Sequence, residues 1–464
     1  MKKTFRFYIA LWAAKLSSVA LKTLKRNATN FPGQLAIKIC PDFIGRIDKP
    51  KTIIGVTGTN GKTTVCNMIE DVLRANGYEF IDNSYGSNIN SGITTALISG
   101  VNVKGKAKKD LAVLEIDERS APRVYPYLTP TYLVCTNLFR DSLMRNAHTG
   151  FISEILTKYI PENTKLIVNA DDLISSNIAP KNERVCFSIA KLETDTKECN
   201  NIVRDIIVCP KCNTKLEYEY VRYHHIGKAS CPNCDFKTKD ANYIVNKIDF
   251  ENKNMILSQR EGSEEKYDLP NTNIINIYNI LAVISVLKQI GLTNEQINLG
   301  ISKLKIVETR FSEETVEGTN IQVITQLAKG MNPIACSRAF DYTRKLDGNK
   351  IAIVILDDLH EARDGSENIA WQYDTDYEFL NDDSIKQIII AGPRYLDGYV
   401  RLQMADIDEN KIVCMQDELE AVSYANLDGI DKVIILHDLY AIEEKNKIKA
   451  KIIDMIKEKK SKWK

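Results

Sequence analysis

Near the amino end, apolar residues fall at Phe5, Ile9, Trp12, Leu16 and Val19. The alternating steps of four and three place them on one helical face. Lys2, Lys15, Lys22, Lys25 and Arg26 flank this stripe. We read it as a helix docked through the stripe on the protein's own core or on a partner, with peripheral contact to an anionic membrane surface, the inner face, as the alternative. Lys15 interrupts the apolar run at 7–14 too early for a signal peptide, and no later stretch is long and apolar enough to span a bilayer.

From 51 to about 190 the pattern alternates between short β-branched runs and helical periods, as a mostly parallel sheet requires. Strands are expected at 52–56, 79–81, 111–116, 132–135 and 165–169, with helices at 62–76 and 150–160. The stretch NSYGSNINSGIT at 83–94 is too rich in Asn, Ser and Gly for a strand and reads as a substrate-side loop. Strands at 243–249 and 254–258 return to the same domain, and a helix running through Asn276 and Asn279 ends at Gly291. A second α/β unit starts near 320, with strands at 321–325, 351–356, 387–391 and 432–436 and helices at 394–404, 416–425 and 440–458. The expected domains are an N-terminal helical segment (1–50), a central domain (51–312) and a C-terminal α/β domain (313–464).

The stretch 52–64, TIIGVTGTNGKTT, carries the clearest chemistry. An apolar strand turns through Gly58 and Gly61 into a helix N-terminus, which offers backbone N–H groups and the positive dipole end to phosphate. Lys62 can reach terminal phosphates, and the Thr63 hydroxyl can ligate Mg²⁺. The strict P-loop pattern fails, because its first glycine would fall on Val56. Further along, Glu115 lies near the end of the strand LAVLEI with Asp117 and Glu118 after it, while Thr136 ends YLVCT with Asn137, Arg140 and Asp141 after it. Carboxylates at a strand end beside such a loop suit a Mg²⁺ held against ATP.

Composition changes the picture little until residue 200. Of 464 residues 44% are hydrophobic, enough for about three domains, and 62 Lys+Arg against 61 Asp+Glu leave a net charge of +1. Nothing global therefore points to nucleic acid. Eleven cysteines in a long chain fit a reducing cytosol, with metal ligation favoured over disulfides. Between 200 and 240 two CxxC knuckles stand 18 residues apart: Cys209 and Cys212, then Cys231 and Cys234. Four thiolates at this spacing form a closed, structural Zn²⁺ ribbon. His224 and His225 between them are expected to be exposed polar residues. Asn276 and Asn279 share a helix face and could contact an adenine edge or simply cap the helix. The acidic stretch 357–376 reads either as a surface loop or as a place to bind ammonium across a cleft from the ATP domain.

The loop TGTNGKTT resembles that of the Mur ligase and folylpolyglutamate synthetase superfamily. That resemblance implies ATP on Gly58, Thr59, Asn60, Gly61, Lys62, Thr63 and Thr64, Mg²⁺ on Thr63 and Glu115, nucleotide contact by Asn276 and Asn279 in NxxNxxA, and Arg310 at the entrance to the last domain. LFRD at 138–141, the cysteine ribbon, LAK at 327–329 and the acidic loop together resemble the MurT family, Mur ligase-like subunits of lipid II isoglutaminyl synthase. The resemblance implies amidation of the D-glutamate α-carboxylate of lipid II through an acyl phosphate. Ammonia would come from a GatD-like glutaminase in a cytoplasmic heterodimer. In the family's acidic loop, catalytic positions align with Asp364, Asn368 and Asp374. Asn368 stands where the family has aspartate, and an amide neither takes a proton nor holds ammonium by charge. Three readings of that departure are open: Asp364 substitutes, the acceptor chemistry differs, or the chain is a nucleotide-binding paralogue with reduced amidation. A Mur-type amino-acid or glutamyl ligase working without a glutaminase is the remaining alternative.

Overall fold

A computed structural model describes residues 1–84, 87–141, 148–260, 262, 264–304, 311–356, 369–438 and 441–462. The chain divides into two compact units. One holds Met1–Phe139, His148–Cys199 and Asp205–Lys305; the other holds Arg140–Ala147, Asn200–Arg204 and Ile306–Lys464.

The first unit opens with helices α1 (Phe5–Thr23), α2 (Phe31–Ile39) and α3 (Phe43–Arg46). Thr4 caps α1 by accepting from the Phe7 amide. The face of α1 that packs is not the one its large apolar residues suggest: Phe7, Ala10, Leu11 and Ala14 are buried, while Phe5, Ile9, Trp12, Leu16 and Val19 are exposed. Phe7 and Leu11 fill the inner face while Ala10 and Ala14 between them let neighbouring elements approach closely, and Phe7 stacks on Phe43 with ring centroids 4.9 Å apart. The expected docking of the stripe on the protein's own core is therefore corrected.

Next come β1 (Thr52–Thr57), α4 (Lys62–Ala75), β2 (Ile81–Asp82), α5 (Asn90–Ser99), β3 (Leu111–Glu115), α6 (Ala121–Val124), β4 (Tyr132–Cys135), α7 (Thr149–Tyr159), β5 (Lys165–Asn169) and β6 (Arg184–Ile189). The expected loop at 83–94 is helical from Asn90 onward, because Ile93, Ala96 and Leu97 of α5 are buried on one side. A hairpin of β7 (Glu217–Tyr223) and β8 (Ile226–Ser230) follows, then β9 (Tyr243–Asp249), β10 (Asn254–Gln259), β11 (Glu264–Asp268), α8 (Ile274–Gln289) and α9 (Asn294–Ile301).

Nine strands form one sheet in the order β11-β10-β9-β6-β5-β4-β1-β3-β2. It is parallel from β2 to β9, and β10 and β11 add antiparallel edges. β1 is buried from Ile53 to Thr57, as a strand covered on both faces must be. Its register sets Val56 opposite Glu115 of β3 and Thr57 opposite Cys135 of β4. The carboxyl ends of these three strands are thereby level, where such sheets bind ligands.

The second unit has a six-stranded sheet in the order β12-β13-β17-β14-β15-β16. These strands are β12 (Phe311–Thr315), β13 (Gln322–Leu327), β14 (Lys350–Ile355), β15 (Ile385–Ala391), β16 (Ile412–Met415) and β17 (Lys432–His437). Among the described residues of this sheet only β12 runs antiparallel. Helices α10 (Pro333–Lys345), Tyr395–Met404, Glu418–Val422 and Ile442–Lys462 complete a Rossmann-like α/β unit.

Candidate active site

The turn between β1 and α4 is built for close approach. Gly58 has φ +121° and Gly61 φ +87°, backbone that favours glycine. A Cβ on Gly58 would lie 2.3 Å from Thr136 Oγ1, and one on Gly61 would lie 2.7 Å from Asn279 Oδ1. Residues after β4 hold the loop in shape. The Thr59 amide donates to the Asn137 carbonyl at 2.9 Å, the Asn60 amide to Asn137 Oδ1 at 3.0 Å, and Thr136 Oγ1 to the Asn60 carbonyl at 2.7 Å. Thr57 Oγ1 is buried and has no hydrogen-bond partner among the described residues.

Lys62 opens α4, and its Nζ lies 3.0 Å from Glu118 Oε1, with both side chains largely buried. Burial alone would lower the Lys62 ammonium, but Glu118, Asp117 and Glu115 outweigh it and hold the group above its ordinary value. Burial lifts the Glu118 carboxyl above its usual range, and Lys62 offsets this only in part. Glu115, the metal ligand expected by resemblance, sits at the end of β3, where its Oε1 accepts from Asn88 Nδ2 at 3.0 Å. Thr63 and Thr64 lie in the first turn of α4, both half-buried. Asn279 is buried against Gly61, whereas Asn276, one turn earlier on α8, is half-buried. A glycine cradle closed to any Cβ, a buried ammonium balanced by carboxylates and an orphaned hydroxyl fit a magnesium-bound nucleotide.

A second layer was invisible in the sequence. Arg222 on β7 is buried between Asp171 (Nη1 to Oδ2, 3.3 Å) and Asp195 (Nη2 to Oδ2, 2.7 Å), and the Tyr278 hydroxyl of α8 donates to Asp171 at 2.6 Å. Burial raises the Asp171 carboxyl despite Arg222 beside it. His224 and His225, expected to be exposed, are each 1% exposed. The hairpin tip is pressed into its own unit: His225 Nε2 lies 3.1 Å from Asp172 Oδ1, and the Gly227 amide donates to the Asp171 carbonyl at 2.9 Å. Burial would raise Asp172, but His225 and the Leu138 and Ser175 amides hold it below its usual value. Phe139 packs on Tyr223 and His225, and its carbonyl accepts from Thr59 Oγ1 at 3.0 Å. The ribbon tip thus reaches the phosphate loop through one aromatic residue. Sequence offered only the Asp171-Asp172 pair after a strand as a signal.

At the ribbon's other end, the Sγ atoms of Cys209, Cys212, Cys231 and Cys234 all lie within 4.8 Å of one another. Cys209 is 3.5 Å from Cys234, and Cys212 is 3.4 Å from Cys231. Sulfurs around a tetrahedral ion with bonds of about 2.3 Å stand roughly 3.8 Å apart, so the cluster fits a metal. The Lys211 and Asn233 amides donate to Cys209 and Cys231.

In the second unit, Asp374 Oδ2 lies 3.2 Å from Arg140 Nη1, both partly exposed. Asp376 is fully buried and accepts from Asn201 Nδ2 and the Ile202 amide. Asn332 caps α10 and donates to Asp141 Oδ1 at 3.2 Å. Arg310, Asp364 and Asn368 lie outside the described residues.

The chain resembles known proteins along most of its length. The family model for the Mur ligase middle domain matches residues 56–287, and that for the MurT ligase C-terminal domain matches 327–442. The chain is 32% identical to the lipid II isoglutaminyl synthase (glutamine-hydrolyzing) subunit MurT of Staphylococcus aureus strain COL, over 88% of this chain and 90% of that one. Identity to the same subunit of Streptococcus pneumoniae R6 is 28%, over 87% and 88%. Among solved structures, a pseudomurein peptide ligase type C from Methanothermus fervidus superposes with TM-score 0.64 at 23% identity, covering 89% of this chain and 81% of that one. MurF from Thermotoga maritima in complex with ADP superposes with TM-score 0.57 at 14% identity, covering 92% and 85%. Fold and site thus define an ATP-dependent ligase of the Mur class. Within that class, the chain belongs to the MurT family.

Proposed function

We propose that this chain amidates the D-glutamate α-carboxylate of lipid II, with ammonia supplied by a GatD-like glutaminase in a heterodimer. One observation carries the reading: a MurT-family chain levels its phosphate loop, Lys62 and the carboxylates Glu115 and Glu118 at adjoining strand ends. The relatives' printed name describes one subunit of a glutamine-hydrolysing synthase, which supports a separate chain for glutamine hydrolysis.

The chemistry requires two steps. A carboxylate oxygen attacks the terminal phosphorus of ATP, giving an acyl phosphate and ADP; ammonia then attacks the acyl carbon, phosphate leaves, and a proton is lost. Gly58 to Thr64 would cradle the phosphates, Lys62 would neutralise charge on the transferring group, and Thr63 and Glu115 would hold Mg²⁺. Asn276 and Asn279 would contact the base, with Arg310 at the domain entrance. Lys62 would have to exchange Glu118 for phosphate when nucleotide arrives. Asp374, held by Arg140, would act with Asp364 and Asn368 on the acceptor side. Zn²⁺ would close the Cys209, Cys212, Cys231 and Cys234 cluster as a structural ion. On this reading the chain works in the cytoplasm; among the described residues no helix is long and apolar enough to cross a membrane.

Incubation of the protein with a candidate glutaminase, lipid II, ATP and glutamine tests this. The expected product has the mass of a carboxyl converted to a carboxamide, with one ADP formed per amide. An added amino acid in the product, or amide formation without ADP, would overturn the reading.

A further inference from the structure

The stripe that α1 turns away from its own core remains unexplained by nucleotide or acceptor chemistry. Phe5 is 78% exposed, Leu16 70% and Val19 60%, and Ile9 and Trp12 lie between them. Steps of four and three keep these five on one face for about 21 Å of helix. Val103, 63% exposed, extends the patch: its carbonyl accepts from Trp12 Nε1 at 2.9 Å, which ties the 101–109 loop alongside the helix. Lys3 reaches the same loop at the Gly105 carbonyl, 3.0 Å away.

The charge around the patch is one-sided. Residues 1–41 contain no Asp or Glu, against eight Lys and Arg: Lys2, Lys3, Arg6, Lys15, Lys22, Lys25, Arg26 and Lys38. Lys2, Arg6, Lys22, Lys25 and Arg26 are exposed, as are Lys104, Lys106 and Lys108 on the adjoining loop. The whole chain has a net charge of only +1, so this concentration is local. Protein-binding patches are depleted in lysine and favour arginine and aromatics. A flat apolar stripe with a Trp and a rim of lysines is complementary to an anionic bilayer surface.

We propose that α1 and the 101–109 loop form a docking face for an anionic phospholipid bilayer, with α1 in the plane of the interface. Phe5, Ile9, Trp12, Leu16, Val19 and Val103 enter the headgroup boundary, and the lysine rim meets the lipid phosphates. α1 lies down rather than crosses, since its inner face is committed to Phe43 and the rest of the core. The face is independent of the amidation reading, although a ligase docked this way would meet a lipid-linked acceptor in two dimensions.

Sedimentation of the full chain with phosphatidylcholine vesicles, with and without phosphatidylglycerol, tests the proposal. Binding is expected with the anionic vesicles, weaker binding with neutral ones, and loss of binding as salt rises. Trp12→Ser with Leu16→Ser should weaken binding at least tenfold. Each of Lys22→Gln, Lys25→Gln and Arg26→Gln should weaken it about fivefold. All are exposed substitutions, and amidation of a lipid-free stem peptide should be unchanged in them, which keeps failure of this face distinct from failure of the proposed reaction. Wild-type protein that ignores anionic vesicles would overturn the proposal. So would a Trp12/Leu16 variant that binds them equally, that turns a dimer into a monomer, or that loses a glutaminase partner.

Discussion

The two candidate sites, one in each unit, place their charges differently. In the first, Lys62 meets Glu118 and Arg222 meets Asp171 and Asp195 with side chains almost wholly removed from water. In the second, the Arg140–Asp374 pair, the described part of the expected acceptor site, keeps about a third of each side chain exposed. Buried charges are costly unless every one is matched, so the first unit's site is preassembled and intolerant of change. An exposed pair is held weakly and can be exchanged for a ligand at little cost. A nucleotide-binding half of this kind should lose everything on a single substitution, whereas the acceptor half should lose activity by degrees.

Lys62→Ala should break the comparison most severely if it is wrong. Removing the ammonium leaves Glu118 buried without its cation and the phosphates without theirs, and product formation should fall by roughly a hundred- to a thousandfold. The metal content of the cysteine cluster, on the far end of the ribbon, should not change. Equal product from the variant, followed by mass spectrometry, would remove Lys62 from the chemistry.

Arg222→Met probes the layer beneath. It strands Asp171 and Asp195 in a buried setting, and urea unfolding should report a loss of about 3–5 kcal/mol. Asp374→Asn in the second unit should lower amidation only about tenfold and leave nucleotide affinity intact, the value of roughly 1.4 kcal/mol at an exposed charge. A collapse of stability in Asp374→Asn, or none in Arg222→Met, would reverse the contrast.

The same contrast explains what the sequence disclosed. The glycine turn of the candidate phosphate loop was legible because its geometry is local: Gly58 and Gly61 adopt backbone that favours glycine, and Lys62 follows immediately. The cysteine cluster was legible because ligand spacing is itself the signal. Among the carboxylates after β3 the sequence offered three candidates, and only the short turn of Glu118–Ser120 brings Glu118 to Lys62. The burial of His224 and His225 depends on where a hairpin tip docks, which no local pattern encodes. The periodicity of α1 located its apolar stripe correctly but assigned it the inner face. Ala10 and Ala14 pack there because they are small, and hydrophobic pattern alone gives weight to large side chains. Asn368 and Asp364, to which the proposed function assigns the acceptor chemistry, lie outside the described residues.

The finest test uses pH, because Glu70 in the first unit and His437 in the second are buried groups whose charged forms are opposite in sign. On α4, burial and then Asp82 push the Glu70 carboxyl up to about 7, against hydrogen bonds from Ser84 and Arg74. Its unfolded value is near 4.3. Between these values the folded chain binds the extra proton, so Glu70 favours folding at low pH and progressively opposes it as pH rises through 7. At the end of β17 in the second unit, burial lowers the His437 imidazole, whose Nδ1 faces the Asp438 carbonyl at 2.8 Å. There the unfolded chain takes the proton first, so stability is lost as pH falls below about 6.5. Glu70→Gln should therefore flatten the stability of the first unit between about pH 5 and 7, by at most about 1.4 kcal/mol per pH unit. His437→Asn should flatten that of the second unit below pH ~6.5 and leave the upper range unchanged. Thermal unfolding of wild type and both variants across this range separates the two, and identical pH profiles for all three would show that neither buried group titrates against the folded state.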